Sequence, residues 1–245
     1  MNQEYLMKRS FREAIALLCS LLALLIAAPV QAAPKHRLEV DPDDFGAYLL
    51  VFFRDETHSV HFALSSDGYT FTALNDANPV LLGKNLAEQK GIRDPFIARG
   101  PDGFYMALTD LHIFAKREGL RATEWERDGR EYGWGNNRAL VLLKSKDLIN
   151  WKHVVYRIDK AFPEMGDIGC AWAPEMFFDK KKGKMLVYFT MRIKNGSNRI
   201  YWAYANKDFT KFETKPQPLG FDSQLGGSCI DADITLFDDE YHVFV

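Results

Sequence analysis

Ser145-Lys146-Asp147-Leu148-Ile149-Asn150-Trp151 is a polar turn with an aspartate four residues ahead of an aromatic ring. The same device stands at Ser65-Ser66-Asp67-Gly68-Tyr69-Thr70-Phe71 and at Asn206-Lys207-Asp208-Phe209-Thr210-Lys211-Phe212. An apolar run precedes each copy. A second unit joins an apolar strand, a charged turn and an aromatic-rich strand. It spans Asp94 to Thr109, Ala173 to Thr190 and Asp231 to Val245. The first unit recurs after 80 and then 61 residues, the second after 79 and then 58. Two independent landmarks therefore keep nearly the same steps. The longer first step is taken up by a charged insert, Leu111 to Arg130.

From Gly46 onward the chain shows almost no helical periodicity. Short runs rich in Val, Tyr, Phe and Trp recur instead, which predicts strands. They are Ala47 to Phe53, Val60 to Leu64, Gly103 to Leu108, Ala139 to Lys144, Met185 to Met191 and Arg199 to Ala205. Turn residues separate them at Pro101-Asp102-Gly103, Lys181-Lys182-Gly183-Lys184, Asn195-Gly196-Ser197-Asn198 and Asp238-Asp239. Asn195-Gly196-Ser197 also fits a glycosylation acceptor, but an Asn-Gly pair suits positive φ and is read as a turn. A period near 60 residues with about four strands per period predicts an all-β propeller. A sandwich predicts no common period. Counted from Ala47, roughly three and a half blades are expected, and the ring is expected to be cut short, since Phe244-Val245 falls inside a strand.

The 245 residues are 47% hydrophobic and 26% charged, which excludes wholesale disorder. Lys+Arg is 31 against 33 Asp+Glu, so no basic surplus points to nucleic acid. Three cysteines exclude a disulfide-rich scaffold. Lys8, Arg9 and Arg12 precede an apolar run from Ala14 to Ala28, followed by Pro29-Val30-Gln31-Ala32. That order is a secretory signal with a small-residue cleavage site, and the run is short for a membrane span. Residues 1–32 are expected to be removed. Residues 33–245 then form the propeller domain of a periplasmic or secreted protein with no membrane attachment.

In a propeller the innermost strand of each blade lines the central channel, and equivalent strand starts converge on one face. The starts of the second unit are Arg93-Asp94-Pro95, Trp172-Ala173-Pro174-Glu175 and Ile230-Asp231-Ala232-Asp233. A lone Asp-Pro is a strand-entry cap. Three carboxylate-bearing starts in register, with Trp172 beside them to stack on a sugar ring, point to glycoside hydrolysis. Gly133-Trp134-Gly135 is too short for a nucleotide fingerprint. It reads as a loop returning from the insert, with Trp134 either a further stacking residue or core packing. The insert itself reads as a solvated rim loop or a subsite wall. No phosphate loop is present. The six histidines show no ligand spacing, and His58 and His61 point to opposite faces of a predicted strand. No cofactor is indicated, calcium included. Cys170 and Cys229 fall at nearly equivalent points of adjacent blades, where either a bridge or two buried thiols is expected.

The ordered set Arg93-Asp94-Pro95-Phe96-Ile97, Trp172-Ala173-Pro174-Glu175 and Ile230-Asp231-Ala232-Asp233-Ile234 resembles glycoside hydrolase family 43. The resemblance covers most of the chain after residue 32. It implies a five-bladed propeller that cleaves arabinosyl, xylosyl or galactosyl linkages by inversion. It implies Asp94 as general base and Asp231 as the residue that tunes the acid. The general acid is then a glutamate about one blade beyond Asp231, outside residues 1–245. Arg93, Trp172, Trp134 and Glu175 are expected to line the substrate site. Fructan- and sucrose-cleaving propellers also carry Arg-Asp-Pro, but Val40-Asp41-Pro42 is a weak match to the upstream nucleophile that they need. A non-catalytic carbohydrate-binding propeller, or a fragment lacking the acid, is the reading from another class.

Overall fold

Along Gly103–Asp110, Tyr105 and Ala107 alternate with Met106 and Leu108, and all four are buried. Successive strand residues point to opposite faces, so this strand is covered on both sides, as a propeller blade requires. The computed structural model describes residues 46–220, 227–238 and 240–245. The chain divides into two units, residues 1–45 and 46–245, and every described residue belongs to the second. The expected leader 1–32 and Val40-Asp41-Pro42 lie outside the described residues.

Among the described residues, four antiparallel sheets follow one another. The first holds β1 (Tyr48–Arg54), β2 (Ser59–Ser65) and β3 (Thr72–Ala73). The second holds β4 (Ile92–Gly100), β5 (Gly103–Asp110), β6 (Ala139–Ser145) and β7 (Trp151–Arg157). The third holds β8 (Ile168–Asp179), β9 (Lys184–Ile193), β10 (Arg199–Tyr204) and β11 (Gln217–Pro218). The fourth pairs β12 (Asp233–Phe237) with β13 (Glu240–Phe244). Each sheet runs in chain order, the up-and-down meander of a blade. The six strands expected from composition lie within two residues of their expected limits.

Register identifies equivalent strands. Ser65 pairs with Tyr48, and Ser145 pairs with Phe104. Each of these serines closes the same turn: its hydroxyl donates to an aspartate two residues on, Asp67 at 2.7 Å and Asp147 at 3.1 Å. Those aspartates accept the next backbone N–H groups. In the third copy the capping role moves to Asn206, whose Oδ1 accepts from the N–H groups of Thr210 and Lys211. Hence β2, β6 and β10 correspond, and β1 corresponds to β5 and β9. The first sheet thus contributes the second, third and fourth strands of a blade, and β4, β8 and β12 are the innermost strands of the next three.

The sheets pack face to face. Ile92, Met106, Leu108, Val141 and Leu143 of the second sheet meet Val60 and Phe62 of the first. Tyr105, Ala107, Leu140 and Leu142 meet Val187, Phe189 and Met191 between the second and third. Tyr188 and Ile200 meet Ala232 and Ile234 between the third and fourth. Each large side chain so buried is worth roughly 1.5–3 kcal/mol against exposure.

The insert is only partly a solvated rim. Leu111, His112 and Ala115 at its start are buried, as are Asn136 and Asn137 just beyond its end. Arg138 joins Glu126 to Asp159, and Arg157 joins Asp159 to Glu88. Arg117 and Arg130 remain well exposed. His58 precedes β2 and stacks on His112 with ring centroids 3.9 Å apart. The spacing of His58 to His61 gave no sign of that pairing.

Candidate active site

Three innermost strands carry the same backbone distortion within or just before them. Asp94 (φ 48°), Ala173 (φ 42°) and Asp231 (φ 55°) are non-glycine residues in the left-handed region. The ladder shifts register between Arg93 and Phe96 and again between Trp172 and Glu175. Such bulges kink a strand and re-aim its side chains, and left-handed non-glycine backbone is strain typical of functional sites. In register, Arg93 faces Thr109 as Trp172 faces Thr190, and Phe96 faces Ala107 as Glu175 faces Tyr188. Asp94 and Ala173 are therefore equivalent positions.

The threonines tie neighbouring blades together at these points. The Thr109 hydroxyl donates to Asp94 Oδ2 at 2.8 Å and accepts the Ala173 N–H at 2.9 Å. Thr190 Oγ1 accepts the Asp231 N–H at 3.0 Å. Asp231 thus follows the third sheet as Ala173 follows the second.

Burial pushes the Asp94 carboxyl above its ordinary range; Thr109, Arg93 and the Ala173 N–H pull it back, and the charge of Asp231 pushes it up. Burial also raises Asp231. Glu175 is pushed up to about 6, first by burial; the Tyr188 hydroxyl pulls it back, and Asp233 and Asp231 push it further. Tyr188 donates to Glu175 Oε2 at 2.8 Å and accepts the Ile234 N–H at 3.0 Å. Asp94, Asp231, Asp233 and Glu175 therefore share one electrostatic neighbourhood. Burial raises Asp94, Asp231 and Glu175 alike, so the cluster holds carboxyls that bind protons more tightly than in water.

Arg93 pairs with Asp55 at 2.6 Å, its guanidinium 4.6 Å over the Phe53 ring, and its charge still reaches Asp94. Trp172 donates its indole N–H to the Gly135 carbonyl at 3.0 Å and packs edge-on to Trp134, with Arg192 4.6 Å over its ring. No disulfide joins Cys170 and Cys229. Both lie at Asn198: the Cys170 thiol is 3.7 Å from its Oδ1, and its carbonyl accepts the Cys229 N–H at 3.1 Å. Burial raises the Cys170 thiol to about 12, an inert group.

Thr109, Thr190, Tyr188, Asn137 and Arg192 were not foreseen as site residues. The two threonines end the repeated unit in register, which is a readable signal. Asn137 and Asn198 each precede an arginine at the entry to a third strand, a weaker one.

The family described as a probable glycosyl hydrolase domain, related to glycoside hydrolase family 43, matches residues 43–245. An α-L-arabinofuranosidase of Bifidobacterium longum subsp. longum is 24% identical over 187 residues, 71% of this chain and 16% of that protein. A xylan β-1,4-xylosidase from Bacillus halodurans superposes with TM-score 0.53 at 12% identity, over 81% of this chain and 34% of the other. An endo-arabinase from Bacteroides thetaiotaomicron gives TM-score 0.52 at 17% identity, over 82% and 64%. At these identities the likeness of structure is one of fold. The chain spans about a sixth of the length of the curated relative.

Proposed function

Because this chain belongs to the family of probable glycosyl hydrolase domains related to family 43, we propose that it hydrolyses O-glycosidic bonds by inversion, on arabinosyl or xylosyl linkages. The observation that carries the reading is the pairing of Asp94 and Asp231, both at positive φ where innermost strands enter their sheets, close enough for the charge of one to act on the other. Asp94 takes the proton from a water attacking the anomeric carbon. Thr109 holds its Oδ2 in place, leaving Oδ1 for that water. Asp231 orients the sugar, and its charge keeps the acid protonated near neutral pH. The proton for the leaving oxygen comes from a glutamate beyond residue 245, as the resemblance implies. Glu175 is the described carboxyl that must be told apart from it. Trp172 stacks on the sugar ring. The basic, apolar and small-residue order of residues 1–32 supports export to the periplasm or medium.

A panel of nitrophenyl arabinosides, xylosides and galactosides, with product anomers followed by NMR, tests this. Asp94→Asn should cost about 10²–10⁴ in rate while sugar binding persists, because the shape is kept. Unchanged turnover removes Asp94 from the role. Loss in Glu175→Gln alone moves the acid to Glu175. Binding without turnover in the parent protein favours a carbohydrate-binding propeller.

A further inference from the structure

Lys144 of β6 and Lys152 of β7 stand directly opposite each other in the second sheet. Residues so paired share a face, and like charges there repel. At the same register of the first sheet the pair is Leu64 and Thr72. The repeated blade therefore does not require the two lysines. They also lie at the far end of the blade from Asp94. Leu140 shares the register of Thr109 and Arg93, and Lys144 comes four residues later, roughly 13 Å along the strand.

The lysines border a cleft of about 720 Å³ between the second and third sheets, lined also by Leu142, Asp208 and Phe209. That volume falls within the range of small-molecule sites. Two of its acidic groups are already engaged. Asp102 accepts from the Tyr105 hydroxyl and from Lys144 Nζ at 2.9 Å. Asp147 accepts from Ser145, from the Asn150 side chain and from the N–H groups of Ile149 and Asn150. Lys144 is held as well, since its Nζ also donates to the Lys207 carbonyl at 2.8 Å. Lys146 and Lys152 are different. Both are exposed, and neither ammonium group has a hydrogen-bond or ion-pair partner among the described residues. Asp208 is exposed too, because the capping role in its turn has passed to Asn206.

We propose that this cleft binds a uronic-acid unit of an acidic polysaccharide, with the carboxylate on Lys146 and Lys152 and a ring hydroxyl donating to Asp208. The bound carboxylate offsets the repulsion between Lys152 and Lys144. The mixed lining favours a singly charged, hydroxyl-rich group, because a phosphate dianion would be repelled more strongly by Asp208 and Asp147. The site is separate from the carboxyl cluster at Asp94 and does not depend on what that cluster cleaves. It anchors the protein on an acidic polymer.

Calorimetric titration of the protein with trigalacturonate at low salt tests this, with neutral galactotriose and inorganic phosphate as the other arms. Trigalacturonate should bind about tenfold or more tightly than galactotriose, which lacks the charge. Lys146→Gln and Lys152→Gln should each weaken trigalacturonate about fivefold, and added salt should weaken it too. Turnover of nitrophenyl glycosides should be unchanged in both variants. Lys152→Gln should leave the urea midpoint level or raise it, because a like-charge pair is gone. Binding that ignores both lysines, or that is as tight for galactotriose, overturns the site. Phosphate binding as tightly as trigalacturonate, with the same dependence on the lysines, overturns the uronate assignment. No binding of trigalacturonate overturns the proposal and leaves the glycosidase reading standing. Binding through the lysines in a protein that cleaves no nitrophenyl glycoside supports the cleft and removes the glycosidase reading alone.

Discussion

Thr109 donates to Asp94 through the same hydroxyl that accepts the Ala173 N–H. One side chain on a second strand therefore orients the carboxylate of its own blade and clamps the strained bend in the innermost strand of the next. Thr109→Val keeps the shape and removes both bonds. Leaving the Ala173 N–H unpaired should cost about 1–3 kcal/mol, read as a lower urea midpoint. The hydroxyl pulls the Asp94 carboxyl down, so its loss raises that carboxyl further. A base works deprotonated, so the acid limb of kcat/KM should move to higher pH. Thr109→Ser should restore both. An unmoved limb would show that the contact does not reach the chemistry.

Tyr188→Phe tests the link between the third and fourth sheets. The hydroxyl serves Glu175 and the Ile234 N–H together. The variant should lose about 1–2 kcal/mol, and the Glu175 midpoint should climb above about 6, because a group that stabilises its charged form is gone. A carboxyl-selective NMR titration reads that midpoint directly. A fall or no change would mean that Tyr188 packs without bonding.

The blade plan was readable because it is written twice, once in the Asp-to-aromatic turns and once in the strand starts. Burial on both faces made β5, β6 and β9 continuous apolar runs that composition alone marks. The bulges were not readable. Nothing in Trp172-Ala173-Pro174 announces that Ala173 takes positive φ, and Thr109, which accepts its N–H, comes from another blade. Nor was the meeting of Trp134 with Trp172, 38 residues apart, which Arg192 enforces from a third segment. That Asp94 and Asp231 lie near enough for the charge of one to act on the other followed from their shared place at the head of the second repeated unit.

Asn137 is fully buried and joins three segments. Its Nδ2 donates to the Asp110, Ala139 and Ala171 carbonyls, and its Oδ1 accepts the Ala171 N–H at 2.7 Å. Asn137→Ala strands the buried Ala171 N–H within β8 as well as several carbonyls. The expected loss is about 3 kcal/mol or more, seen as a drop in urea midpoint. The exposed asparagine Asn150, which bonds only within its own turn, should lose under about 0.5 kcal/mol on the same change. Equal losses would refute the bracing role of Asn137.

Asp110 is 1% exposed at the end of β5, next to the Thr109 clamp, and accepts the N–H groups of Glu88 and Gln89. Burial pushes its carboxyl up to about 7; those N–H groups pull it back, and Glu126 and Glu88 push it further. An unfolded aspartate titrates near about 3.9. The folded protein therefore binds the proton more tightly, and between about pH 4 and 7 the native state carries more protons than the unfolded one. Stability from this group is full below about pH 4 and is lost as the pH rises through 7. Asp110→Asn fixes the neutral form but gives up one acceptor oxygen, a loss of about 1 kcal/mol. At pH 4.5 the variant should unfold at a lower urea concentration than the parent. At pH 8, where the parent must hold a buried charge beside Glu126 and Glu88, the gap should close or reverse. Urea midpoints at pH 4.5, 6 and 8 decide it, and a gap that stays constant across the three would show that Asp110 ionises as freely in the fold as outside it.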